Sequence, residues 1–232
     1  MDNLHKTILS YANPAKALIL QRFFKTGKGQ YGEGDIFLGI VVPIQRKIAK
    51  QFYSSITLYD VIKLLKNPIH EYRLIALLIL IEQYKRGEAA QKEAIFNTYI
   101  NNTQYINNWD LVDLSAPTIV GEYLRDKDYT TLYTFAKSPS LWKKRIAMLA
   151  PFAEIKTGAF DRALKIAELL VNDPHDLIQK AVGWMLREIG KRGGLAEEQL
   201  FLEKFGKTMP RTMLRYAIER FPEKKRLSYL KK

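Results

Sequence analysis

The chain has 232 residues, enough for one compact domain or one continuous repeat array. Hydrophobic residues make up 47% and aromatics 12%, so a core can form and a disordered chain is excluded. Lys and Arg number 37 against 24 Asp and Glu, a net charge of +13. That balance favours a polyanionic partner, because each neutralised phosphate releases counterions, although an anionic membrane surface would also satisfy it.

Taken in chain order, the start Met1 to Lys6 leads into no long apolar core and no small-residue cleavage site, so no signal peptide is expected. Asn13 caps a helix that Pro14 opens, and helical spacing continues from Leu18 to Lys25. Gly27, Gly29 and Gly32 then fit G-x-G-x-x-G, but a helix rather than a strand precedes them and no βαβ unit follows. The stretch 27–34 is therefore expected to be a flexible basic loop. Pro43 opens the next helix. The longest apolar run, Leu74 to Ile81, is too short to span a bilayer, and a soluble, cytoplasmic protein is expected. Asn108 caps a helix that Pro117 ends or kinks, Asp173 and Pro174 start another, and Pro210 and Pro222 open the last two. No stretch alternates with a period of two. The fold class is all-α.

A repeat runs through these helices. Asp110, Arg145, Lys180 and Arg215 recur every 35 residues, followed two positions later by Val112, Ala147, Val182 and Ala217. Ile75 and Leu77 hold the corresponding places upstream. Such a period, without the TPR consensus, predicts a HEAT-like helical solenoid with a concave basic cleft. The expected organisation is a single domain over 1–232. It has N-terminal helices in 1–55, repeats over about 57–220, and a short basic tail.

Two segments carry candidate chemistry. From Ile178 to Ile189, the residues Ile178, Val182, Met185, Leu186 and Ile189 form one apolar stripe, which must be buried. Lys180, Trp184, Arg187 and Lys191 fall on the other side. A tryptophan among cations suits a nucleic-acid surface, with charges for phosphates and a ring for sugar or base. In Trp109-Asp110-Leu111-Val112-Asp113, Trp109 and Asp113 share a face, while Leu111 and Leu114 point away. A helix dipole explains acidic residues at this position, but not the pairing of Trp109 with Asp113. Trp142 shares a face with Ile146 and Leu149 and is assigned to the core, with Arg145 at the edge as a phosphate contact. With no cysteine, and with His5, His70 and His175 far apart in sequence, no metal is expected.

At Trp109 to Asp113, and again over Ile178 to Glu188, the chain resembles the AlkD family of bacterial DNA alkylation-repair glycosylases. The stretch Phe37-Leu38-Gly39-Ile40 to Pro43 is also similar to that family's N-terminal region, and the likeness extends from about residue 14 to about 220. The resemblance implies a HEAT-like solenoid that wraps duplex DNA and excises N3-alkyladenine and N7-alkylguanine. It implies Trp109, Asp113 and Trp184 as the catalytic group and Arg145 and Arg187 as backbone contacts. Lys180 and Lys191 join them on the basic face. No cofactor, membrane or obligate protein partner is expected, and a monomer acting on double-stranded DNA with alkylated bases is. In place of the polar or tyrosine side chains of some relatives, the N-terminal helices here carry Phe23, Phe24, Val41 and Val42. Two other readings compete. A non-catalytic HEAT-repeat module binding DNA or RNA needs no Asp113 beside Trp109. A protein-interaction scaffold needs no charge of +13.

Overall fold

In the computed structural model, which describes residues 1–231, helix follows helix along the whole chain. Among those residues the sole extended pairing is an isolated bridge between Ile36 and Ile69. The chain divides into two compact units, Met1–Ile119 and Val120–Lys232.

The first unit contains α1 (Asp2–Ser10), α2 (Pro14–Phe23), α3 (Val42–Phe52), α4 (Leu58–Leu65), α5 (His70–Arg86), α6 (Ala89–Asn101) and α7 (Trp109–Ala116). Asn13 caps α2 as its sequence predicts, its side chain accepting from the Lys16 N–H at 3.0 Å. Helix α5 is the centre of this unit, packed by α3, α4, α6 and α7. It is buried on every side from His70 to Tyr84, so it shows no amphipathic stripe. Its first turn also anchors the chain that enters α3. The Glu71 carboxylate accepts the N–H groups of Leu38, Gly39 and Ile40 at 3.0, 2.8 and 3.1 Å. Gly39 sits at φ 83°, and a Cβ there would lie 2.1 Å from the Asn13 carbonyl, so this turn requires glycine. The 27–34 loop folds on itself, with the Gly27 N–H donating to Gln30 and the Gly29 N–H to Glu33.

The second unit contains α8 (Glu122–Leu124), α9 (Thr130–Ala136), α10 (Leu141–Leu149), α11 (Phe152–Ile155), α12 (Asp161–Leu170), α13 (Asp176–Lys191), α14 (Leu195–Phe205), α15 (Arg211–Ala217) and α16 (Glu223–Leu230). Here the repeat is literal. Helices α10, α13 and α15 begin at residues 141, 176 and 211, and α13 packs against both of the others. Ala147, Val182 and Ala217 are all buried in this row. Gly183 lets α13 and α15 approach closely, since a Cβ would lie 2.4 Å from the Met213 carbonyl. The all-α, helical-repeat fold is thus as the sequence predicts.

Several local expectations are corrected. Arg145, Lys180 and Arg215 keep their register but not a common environment: the first is buried, the second half-buried and the third exposed. Burial in the row sets these differences, so one repeat position does not make a uniform charged stripe. The cap of α13 is His175, whose ring accepts from the Leu177 N–H. Asp173 instead accepts from the His175 N–H at 2.9 Å and pairs with Lys144. Trp142 is half-buried rather than a core residue, because it lies in the first turn of α10. Leu114 is likewise half-buried.

Candidate active site

Helix α7 begins abruptly at Trp109. Asn108 makes the start possible, its Oδ1 accepting from the Trp109 N–H at 2.8 Å while its Nδ2 donates to Asp35 at 3.0 Å. Trp109 is then held by rings. Phe24 stacks on it at 5.0 Å with an interplanar angle of 11°, and Phe23 meets it edge-on at 5.8 Å. Phe24 in turn stacks on Phe37 and lies 5.1 Å from His70. Phe23 is 62% exposed, so the aromatic cluster reaches solvent at this edge.

Beneath the rings lies a buried polar network. His70 places Nδ1 3.0 Å from Asp35 and Nε2 2.8 Å from Asp110, and Arg73 donates to the other oxygen of Asp35. Burial alone would strip the proton from His70. The attraction and hydrogen bond of Asp110, with those of Asp35, outweigh it and push the pKa up to about 9. Burial would likewise raise Asp35, but its hydrogen bond to His70 and the charge of Arg73 hold it below the usual carboxylate range. Two carboxylates therefore meet two cations, and the buried charges cancel.

Asp113 lies one turn after Trp109 on the same helix, and both are half-buried. Its negative charge is felt by Tyr99 of α6. Burial chiefly raises that phenol's pKa, Asp113 adds to the rise, and the hydroxyl hydrogen-bonds Ser115 at 3.0 Å. At Pro117 the α-helix gives way to a π-helical turn, Pro117–Gly121, because proline supplies no N–H to continue the ladder.

Helix α13 presents its residues differently. Ile178, Val182, Met185, Leu186 and Ile189 are buried, as their spacing predicts. On the other side Lys180, Trp184 and Arg187 are half-buried and Lys191 is exposed. Trp184 has Phe152 at 6.0 Å, and that ring also meets Lys156 and Arg192 at 4.6 and 5.3 Å. Lys180 pairs with Asp176 at 2.8 Å, and Arg187 pairs with Glu219. Arg145, expected at the edge of its face, is buried and donates to the Leu177 carbonyl at 2.5 Å, tying α10 to the start of α13.

A family model described as DNA alkylation repair enzyme matches residues 4–221. The chain belongs to the DNA alkylation repair enzyme family. The solved structure of a predicted DNA alkylation repair enzyme from Enterococcus faecalis is similar in fold, with a TM-score of 0.70 and 18% identity. That match covers 91% of this chain and 97% of the other. No curated protein matches the chain.

In this member of the family, Trp109 and Asp113 come from one helix of the first unit, whereas Trp184, Lys180, Arg187 and Lys191 come from one helix of the second. Sequence reasoning missed Asp35 and His70, which lie 35 residues apart and meet only through tertiary structure. Two signs were present: an acidic residue closing a glycine-rich loop, and a histidine one turn before a run of apolar residues. Neither residue alone marks a site. Among the described residues no helix is long and apolar enough to cross a membrane.

Proposed function

We propose that this member of the family is a DNA glycosylase that excises positively charged alkylated purines, N3-alkyladenine and N7-alkylguanine, from duplex DNA in the cytoplasm. The observation that carries the reading is the pairing on α7. A half-buried carboxylate, Asp113, follows one turn after a tryptophan whose ring is fixed by Phe24 and Phe23.

The chemistry asks little else. An N3- or N7-alkylated purine already carries positive charge, so it leaves as a neutral base when the C1′–N bond breaks and takes the bonding pair. Charge moves to the deoxyribose, where an oxocarbenium-like centre develops. Asp113 stabilises that charge and orients a water, whose oxygen bonds to C1′ while its proton passes to the carboxylate and then to solvent. Trp109 offers a π face to the same cationic sugar, and Trp184 offers a further aromatic contact to DNA from the second unit. Lys180, Arg187 and Lys191 take phosphates; the ion pairs of Lys180 with Asp176 and of Arg187 with Glu219 are at or near the surface, where such pairs are weak enough for a phosphate to displace. Arg145, already engaged by the Leu177 carbonyl, supports DNA binding by holding α13.

The test is release of free 7-methylguanine and 3-methyladenine from methylated duplex DNA in the presence of EDTA, comparing the wild type with Asp113→Asn. Release by the wild type alone is expected. No release from either, with salt-sensitive duplex binding retained, would leave a DNA-binding module without this activity.

A further inference from the structure

We propose that the buried bridge Asp35–His70–Asp110 is the positioning device for Trp109 and, through helix α7, for Asp113. It works only while both ring nitrogens of His70 donate to their carboxylates. The proposal rests on the glycosylase reading in so far as it names Asp113 and Trp109 as the reacting pair.

Geometry gives the bridge this role. Asp110 is the residue after Trp109, in the first turn of α7, and its Oδ1 also accepts from the Leu111 N–H at 2.9 Å. Its Oδ2 faces His70 Nε2, so the first turn of α7 is pinned to the first residue of α5. On the other side, Asp35 accepts from His70, from Arg73 and from Asn108, the cap of α7. The bridge therefore grips α7 twice, through Asn108 and through Asp110, on either side of Trp109. The ring of His70 also lies 4.5 Å from Phe37 and 5.1 Å from Phe24, and Phe24 is the ring stacked on Trp109. Hydrogen bonds and ring contacts thus run from one imidazole to the same tryptophan by two routes.

The charge state follows from the partners. An ionised carboxylate only accepts, so two carboxylate oxygens at 3.0 and 2.8 Å require two ring N–H donors. The charged groups that meet His70 are Asp35 from the loop before α3 and Asp110 from α7, with Arg73 balancing Asp35 from α5 itself. Removing the proton leaves one carboxylate facing a lone pair in a dry site, and the neutral ring loses one of its two anchors. With the pKa of His70 pushed up to about 9, the bridge is closed at neutral pH and opens under alkaline conditions.

Two measurements test the proposal. In the first, protein labelled with 5-fluorotryptophan is titrated without DNA from neutral to alkaline pH. The Trp109 resonance is assigned by its loss in Trp109→Phe, and the ring nitrogens of His70 are followed by ¹⁵N NMR. His70 should hold both ring protons at neutral pH. The Trp109 resonance should move with His70 as it titrates near pH 9, while those of Trp142 and Trp184 stay still. A Trp109 signal that ignores the His70 titration overturns the proposal. In the second, His70→Gln and Asp110→Asn are compared with the wild type in single-turnover excision at neutral pH. A loss on the order of 10²-fold is expected, with binding to undamaged duplex unchanged, as for a reacting group displaced by about 1 Å. Wild-type excision by folded variants would also overturn it. If the variants fail to fold, the wild-type titration decides alone. If the wild type releases no base, the glycosylase reading falls, and the fluorine titration still decides whether the bridge positions Trp109.

Discussion

Beneath Trp109 the first unit buries four charges that cancel, whereas under the last turns of α13 the second unit buries a carboxyl that forms no ion pair among the described residues. Glu198 of α14 is 2% exposed, its Oε1 has no hydrogen-bond partner, and its other oxygen lies against Gly190, where a Cβ would be 1.8 Å away. Burial pushes its pKa up to about 8, and the nearby charges of Lys225 and Arg187 only partly offset that. The two tryptophans differ in the same sense. Trp109 is stacked and edge-packed by two phenylalanines, while Trp184 has Phe152 tilted at 6.0 Å and lies between the half-buried Lys180 and Arg187. On the glycosylase reading proposed above, Trp109, whose geometry has to be held, is seated on paired charges and rings, whereas Trp184, as a contact to DNA, needs only the rigid helix that the buried stripe of α13 supplies.

The largest effect that would sharpen this contrast is expected at Asp113. Asp113→Asn should lower base release by about 10² to 10⁴-fold, the span of a positioned acid–base group, while duplex binding is kept or tightened. Unchanged release would move the chemistry off α7 altogether. Next come the tryptophans. Trp109→Ala removes a stacked pair and half-buried area, about 2 kcal/mol, and should lower Tm by roughly 4–8 °C. Trp184→Ala should lower excision with a clearly smaller thermal shift. Equal losses of Tm by calorimetry would erase the distinction between the two seats.

Two pH effects follow, both with the same sign and in different windows. The folded-state pKa of His70 is raised from 6.5, so its contribution to stability is complete below about pH 6.5 and is lost as pH rises through about 9. Glu198 is raised from 4.5, so its contribution is complete below about pH 4.5 and is lost as pH rises through about 8. Glu198→Gln should therefore raise Tm at pH 8.5 relative to the wild type and lose that advantage at pH 5. A stabilisation that persists at pH 5 would mean packing rather than ionisation. The smallest effect is expected at Arg187. Arg187→Ala should weaken binding to damaged and undamaged duplex alike and reduce the salt slope by about one unit. Loss confined to damaged duplex would make Arg187 a reader of the base.

Much of the second unit was legible in the sequence, because a helical stripe and a 35-residue register are local or regular signals. The buried face of α13 and the row Ala147, Val182 and Ala217 follow from spacing alone. The environment of each basic residue in that register does not. Arg145 is buried because α10 meets the first turn of α13 there, and only tertiary packing decides that. In the first unit, Trp109, Asp113 and the cap Asn108 could be read from their segment. The floor beneath them could not, since Asp35 reads as the end of a turn, His70 as an unremarked helix start, and Asp110 as a favourable charge at a helix N-terminus. The notable property of each is its distance from the others, which a sequence does not print.

That distance has a consequence in time. The hydrogen bonds under Trp109 join residues 35, 40 and 73 positions apart, spanning residues 35–110 of the first unit. A chain emerging N-terminus first carries Asp35 and His70 into solution well before Asp110 and Asn108 exist to meet them. Closing such long loops is an entropic cost that precedes any gain, so this corner matures late. The glycine-rich loop and α5 are synthesised before α7, yet they are finished only when α7 arrives.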